Sequence, residues 1–399
     1  MIEQLRKKYN QEFTIEQYQK YVQALESDLV PNALDYRIAE TPVFVDKQFK
    51  NKLLDTCESI VDIIVDENFK HKTEQAIPKE LRVPNENDKC EFFVFDFGVC
   101  KNEDGELEPQ LIEMQGFPTL FAFQYFQDKN MRAHFNIPNN FSVFLNGNTN
   151  HSYVTKLKRI ILADFNPVNV VLLEILPHQQ KTRIDFYNTQ SLVGIKSVCL
   201  SELIEENNNL FYINEGVKTP IHRIYNRIIF DDLQQQSAEL KEKGKILFKN
   251  LNVEWLPHPN WFYRISKYTL PFIHHPFVPK TYFLNELKQL PNDLNNYVLK
   301  PLFSFAGQGV IIDVTIDDIT KIIDPENWIL QQKVQYADVI ASPDGFAKAE
   351  IRVFYFWDKD ANRPEAVCNL ARLSKGKMIG VRYNQNKEWV GSSLAYFEQ

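Results

Sequence analysis

The sequence predicts a mixed protein, part α+β and part α/β, built from two or three lobes. Three observations lead there. The chain has 399 residues, more than a single core usually organises. Its first eighty residues or so carry helical spacing. The remainder is dominated by short apolar runs, interleaved with helical signals in the middle and nearly free of them at the end. With 44% hydrophobic and 24% charged residues the composition is that of a globular chain. The 13% aromatic share, with 30 Phe, favours strands.

Taken in order, residues 1–83 read mainly as helices. IEQLRKKY and IEQYQKYVQALESDL have helical spacing, and KNKLLDTCESIVDIIVDENF puts Leu53, Leu54, Ile60, Ile63 and Ile64 on one side. CEFFVFDFGVC, from Cys90 to Cys100, reads as a buried strand. KNEDGELEP is a turn centred on Asp-Gly, and PQLIEMQGF returns as the second strand of a hairpin. NGNTN, from Asn146, is a polar break. RIILADF and NVVLLEILP then read as strands, and alternating strand and helix signals follow, which predicts a small α/β lobe with a parallel sheet. Five late strand candidates, YVLKPLF, GVIIDV, NWILQQKV, AEIRVFYFW and AVCNLARLS, predict an antiparallel sheet. The expected division is 1–145, 146–255 and 256–399.

Charge and targeting narrow the function. A net charge of −7 leaves no basic surplus for a nucleic-acid backbone, so no DNA or RNA partner is expected. MIEQLRKKYNQEF lacks the apolar stretch of a signal peptide, and no run approaches a membrane span. The five cysteines are scattered, odd in number and without C-x-x-C spacing. They read as reduced thiols of a cytoplasmic protein, not as a zinc site.

The stretch VLKPLFSFAGQGVII carries a different signal. Lys300 sits inside an apolar run, and a loop of mostly small residues follows. A plain hairpin would explain it. So would a phosphate site, in which Ser304, Gly307 and Gly309 let backbone N–H groups approach the ligand. Lys267, in RISKYTLPF, could share the phosphate charge. Backbone groups along Gln331, Gln332, Lys333 and Val334 could meet a purine edge, with Asp338 accepting from ribose hydroxyls.

The combination V-L-K-P-x5-G-x-G-V, preceded by S-K-x10-V-P-x-T (Ser266, Lys267, Val278, Pro279, Thr281) and followed by Q-Q-K-V and E-I-R-V-F, resembles the ATP-grasp superfamily over roughly residues 258–375. That resemblance implies ATP with Mg²⁺, and activation of a carboxylate for transfer to an amine or thiol. The usual downstream acidic pair is missing. The early hairpin supplies acids instead: Asp96 on one strand, and Glu113 with Gln115 on one face of the other. Oxygen ligands of this kind suit Mg²⁺.

Carboxylates first and lysines last is similar to the circularly permuted ATP-grasp arrangement of the glutathionylspermidine synthase type. Its second motif, L-L-E-Y-N-A-D-T-P, compares with L-I-E-M-Q-G-F-P-T here, Gln115 standing for Asn and Gly116-Phe117 for Ala-Asp. The resemblance implies metal roles for Asp96, Glu113 and Gln115, and a small α/β lobe ahead of the nucleotide lobes. It is not extended to glutathione or polyamine substrates.

Arg352, on the same strand face as Glu350, could stabilise a transferring phosphoryl group, as could Arg372 and Arg382. A carboxylate-amine ligase using small-molecule or peptide substrates is the leading expectation. A kinase and a non-catalytic ATP-binding scaffold are the alternatives. Lys181, Arg183, Arg223, Asn226 and Arg227 fit a ligand crevice or plain salt bridges equally well, and Arg37 is open in the same way. HPNWF reads as an aromatic-packed turn, and His274 with His275 as a surface pair.

Overall fold

In the computed structural model, residues 1–26, 31–303, 308–376, 379, 384 and 386–399 are described. Helices α1 (Glu3–Glu12), α2 (Ile15–Glu26) and α3 (Lys47–Ile64) open the chain. Strands β1 (Phe92–Lys101) and β2 (Leu107–Gln115) and helix α4 (Phe121–His134) follow. Next come α5 (Asn150–Leu162), β3 (Val170–Glu174), α6 (Arg183–Val193), β4 (Lys196–Cys199), β5 (Arg223–Asn226) and β6 (Glu254–Leu256). The last part holds β7 (Thr281–Phe283), β8 (Tyr297–Pro301), β9 (Ile311–Ile312), β10 (Trp328–Gln332), β11 (Gly345–Phe356), β12 (Glu365–Ser374) and β13 (Gly391–Ser393).

Strand β1 is an interior strand of the main sheet, and both of its faces are apolar over most of its length. Alternation sends Phe93, Phe95, Phe97 and Val99 into one core and Phe92 and Val94 into the other. Each buried Phe contributes roughly 2 kcal/mol by leaving water. The antiparallel sheet runs β13-β12-β11-β1-β2, so early and late segments share it.

Helix α3 covers one face. Asp46 caps it by accepting from Phe49 N–H at 2.8 Å, and Phe49, Leu53, Cys57, Ile60, Val61 and Ile64 point inward. Leu54 and Ile63, expected on that side, lie half-buried at its margins. The opposite face packs against α2, α4 and α5.

The middle lobe is a parallel sheet in the order β6-β5-β3-β4. Its chain order reverses beside β3, so the switch point falls between β3 and β5. RIILADF is not a strand: its first residues end α5. Tyr153, Leu157, Ile160 and Ile161 form that helix's buried stripe, and Thr149 and Ser152 form its capping box. An apolar tetrad by itself cannot separate the two forms.

The five late strand candidates do not form one sheet. β8, β9 and β10 join β7 in a four-stranded antiparallel sheet, whereas β11 and β12 join the early hairpin. The physical reason is burial. Ile351, Val353 and Tyr355 complete the same core as Phe93 and Phe95, while Leu299 and Leu330 build a separate small core.

Candidate functional site

The second face of the central sheet changes from apolar to charged part-way along. Phe92, Val94, Phe354 and Phe356 give way to Asp96, Glu350 and Arg352, which share their strand parity. Pairing register aligns them: Asp96 lies opposite both Arg352 and Glu113, and Glu350 lies opposite Arg372.

Asp96 is fully buried, a position that costs several kcal/mol for an unpaired carboxylate. Arg352 offsets this with two parallel bonds, Nε to Oδ1 and Nη2 to Oδ2, both 2.6 Å. Arg372 Nη2 adds a contact at 3.2 Å. Burial opposes ionisation, yet the Arg352 charge and bonds, helped by Arg372, hold the Asp96 carboxyl below its ordinary range. Glu350 accepts from Arg372 and, at 2.9 Å, from the Tyr336 hydroxyl. Burial, with Asp96 and Glu113 nearby, pushes the Glu350 carboxyl upward despite Arg372.

Two lysines meet this layer from the other side. Gly116 makes that approach possible. Its N–H donates to Ile265 O at 2.7 Å, and a Cβ there would lie 2.3 Å from the Trp261 carbonyl oxygen. The end of β2 is thereby laid against residues 261–265, which brings Lys267 to Glu113. Lys267 is 8% exposed, and burial lowers its pKa while Glu113 opposes the shift.

Lys300 reaches the early hairpin directly. Its Nζ donates to the Ile112 carbonyl at 3.2 Å and to Gln331 Oε1 at 2.5 Å. Burial draws its pKa down to about 8, against the pull of Glu113 and with the push of Lys267.

The set holds three carboxylates (Asp96, Glu113, Glu350) and four cations (Lys267, Lys300, Arg352, Arg372). Two buried donors, Gln331 Nε2 and Arg372 Nε, have no acceptor among the described residues. A buried donor without an acceptor costs about 1–3 kcal/mol. Surplus cations and orphaned donors fit an anion with several oxygens.

Asp96, expected with Glu113 and Gln115 as a magnesium ligand, is engaged by arginine in this structure. Both Asp96 oxygens are taken by arginine, and Gln115 turns its amide N–H to Glu113 Oε1 at 2.8 Å. Among the described residues no group of three His, Cys, Asp or Glu is arranged to hold a metal ion. In this structure Asp96 is the counter-ion of two arginines.

Other expected residues fall as follows. The Gln332 and Lys333 N–H groups donate to Lys280 O (2.8 Å) and Asn296 O (2.7 Å), so neither is offered to a purine edge. Lys333 Nζ pairs with Asp313 at 2.6 Å. Val334 is half-buried and Asp338 exposed. Gly309 has φ +72°, and a Cβ on it would press Pro301 Cγ at 3.0 Å, so glycine serves the turn itself. Ser304, Gly307 and Arg382 lie outside the described residues.

Of the middle-lobe residues weighed for a ligand crevice, Asn226 and Arg227 do stand at the switch point. Glu174 ends β3 and Asn226 ends β5. Burial raises the Glu174 carboxyl to about 8 in spite of Arg227. Arg227 stacks 4.5 Å over the Phe117 ring and donates to Pro118 O at 2.5 Å. Arg227 Nε, Asn226 Nδ2 and Asn188 Nδ2 are buried donors without acceptors among the described residues. Phe117 is two residues beyond Gln115, so this crevice adjoins the lysine cluster. Sequence reasoning named Asn226 and Arg227 but missed Glu174, whose place at the end of the apolar run NVVLLE was a usable sign; Asn188 and Tyr336 carried none.

Arg183 and Arg223 pair with Asp35 and Glu254, which makes them structural. Arg37 pairs with Glu40. His258 is buried, its Nε2 2.9 Å from Pro84 O, in a turn packed by aromatics. No helix among the described residues is long and apolar enough to cross a membrane.

No family model and no curated protein matches the sequence. Among solved structures the fold is similar to that of a glutathione synthetase-like effector from Globodera pallida in its apo form. The TM-score is 0.56 at 11% identity, covering 96% of this chain and 96% of that one. At that identity the likeness is one of fold: the chain has a glutathione synthetase-like architecture over nearly its whole length.

Proposed function

We propose that the protein is an ATP-dependent ligase of the circularly permuted ATP-grasp type, joining a carboxylate to an amine or thiol. One observation carries the reading: Lys267 and Lys300, late in the chain, converge on Glu113 of the early hairpin, beside donors that lack acceptors among the described residues. Lys267, Lys300, Gln331 Nε2 and Arg372 Nε receive the phosphate oxygens. ATP supplies the phosphoryl group that activates the carboxylate.

Arg352 and Arg372, fixed by Asp96 and Glu350, stabilise negative charge as phosphate transfers. Alignment and charge neutralisation do most of this work, so no protein nucleophile is needed. The switch-point crevice, with Glu174, Asn226 and Arg227, holds the acceptor's polar groups next to the transfer point.

The test is ATP binding followed by turnover. ATP is expected to raise the melting temperature in EDTA as well as in magnesium, because the site's own cations are side chains. Release of ADP and phosphate is expected only when acid and amine are both present. Absence of ATP binding in both buffers sinks the reading.

One observation favours a second reading, an ATP-binding scaffold without turnover: arginines close Asp96, and no metal set stands among the described residues. It predicts the same melting shift with no ADP from any acid and amine pair.

A further inference from the structure

A second cavity lies away from that cleft. It has a volume of about 570 Å³ and opens beside Glu91, just before β1 begins. Asp96 is five residues farther along the strand, roughly 16 Å away. Arg223 and Glu254, at the starts of β5 and β6, also line the cavity, so it sits at the opposite end of the parallel sheet from the switch-point crevice.

Its walls combine aromatic rings and unbalanced acid. Trp255 and Trp357 supply the rings. The Lys89 ammonium already lies over Trp357, 5.9 Å from its centroid, which leaves Trp255 as the ring without a cation of the protein's own over it among the described residues. Every lining cation is already paired: Arg223 with Glu254, Arg159 with Asp358 and Asp360, and Lys359 with Asp164. Arg223 also donates to the carbonyls of Ile160 and Ile161, both at 3.1 Å, which uses its remaining nitrogens. Five lining carboxylates face three cations, so the cavity carries excess negative charge.

Among the described residues Glu91 has no ionic partner of its own. Its Oε1 accepts from Asn87 at 2.8 Å, while Oε2 is shielded from water and has no donor among the described residues. Burial pushes this carboxyl up to about 7 even with Arg223 nearby, so it lacks a positive neighbour close enough to hold its charge.

We propose that this cavity binds a small organic ammonium ion, with its charge on Glu91 and its apolar body against Trp255 and Trp357. A quaternary or primary ammonium gains from a desolvated carboxylate and from aromatic faces together. A free carboxylate on the ligand would find no uncommitted guanidinium, so a cation is favoured over a zwitterion.

Benzylamine titrated into the full chain tests this, followed by tryptophan fluorescence and melting temperature. Saturable binding is expected, with benzyl alcohol and L-phenylalanine each at least about tenfold weaker. Glu91→Gln still accepts from Asn87 and is expected to lower benzylamine affinity by about tenfold or more. Val253→Phe, which fills the cavity from another wall, is expected to do the same should Glu91→Gln fail to fold. Equal binding of amine and alcohol, tighter binding of phenylalanine, undiminished binding by either folded variant, or no binding up to about 10 mM overturns the assignment.

Discussion

Two buried arginine clusters in this molecule differ in one respect. Around Arg264, which is 2% exposed, every nitrogen has an acceptor. Nε donates to Glu86 (2.5 Å), Nη1 to Lys70 O (2.6 Å) and Thr73 Oγ1 (3.1 Å), and Nη2 to Glu74 (2.7 Å) and Glu86 (3.0 Å). Around Arg352 and Arg372 the network stays open: among the described residues Arg372 Nε and Gln331 Nε2 have no acceptor, and desolvation draws the half-buried Lys300 ammonium down to about 8. A closed network holds a fold together. An open one is held in place by the fold and keeps capacity for a ligand.

The largest expected effect breaks the closed cluster. Arg264→Ala leaves Glu86 with only the more distant Lys70, at 4.0 Å, and is expected to destabilise by about 3–5 kcal/mol. ATP affinity, measured by calorimetry on the folded fraction, is expected to stay unchanged. A fall in affinity matching that at Lys300 would erase the distinction between the clusters.

Lys300→Met reverses the pattern. It removes a half-buried charge that the protein only partly compensates, so denaturant unfolding is expected to show equal or greater stability. ATP affinity is expected to fall by about 2–5 kcal/mol. A variant that unfolds while binding ATP normally would make Lys300 structural.

The smallest effect is a pH dependence. In the fold Lys300 holds its proton more weakly than in the unfolded chain, where a lysine titrates near ~10.4. The unfolded chain therefore binds more protons between about pH 8 and that value, and stability without ligand rises across the window. Below pH 8 the penalty is fully present. ATP affinity runs the other way, falling by about tenfold from pH 7.5 to 9.5 as the ammonium is lost. Lys300→Arg is expected to flatten that profile.

Much of the candidate site was legible because its residues break local patterns. Lys300 interrupts an apolar strand, and Asp96 interrupts FFVFDF. Two-residue periodicity on strands put Glu113 with Gln115, and Glu350 with Arg352, on common faces. What each group does with its charge was less legible. Asp96 read as a metal ligand because Glu113 and Gln115 stand across the hairpin from it and the family resemblance implies that role. The arginines that close it arrive from residues 352 and 372, by strand pairing across more than two hundred and fifty positions. The Gln332 and Lys333 N–H groups likewise read as open, and the carbonyls that take them come from other strands and turns.

The sequence by itself determined the local forms: the amphipathic α3, the hairpin β1–β2, the alternating middle lobe and the isolated lysines. These follow from periodicity and turn chemistry within a dozen residues. Only the tertiary structure decided which strands share a sheet, which carboxylates are neutralised and which donors stay open. Hydrogen bonds and charges are satisfied between elements, and the partner of a buried group is set by where the whole chain brings it, not by its neighbours in sequence.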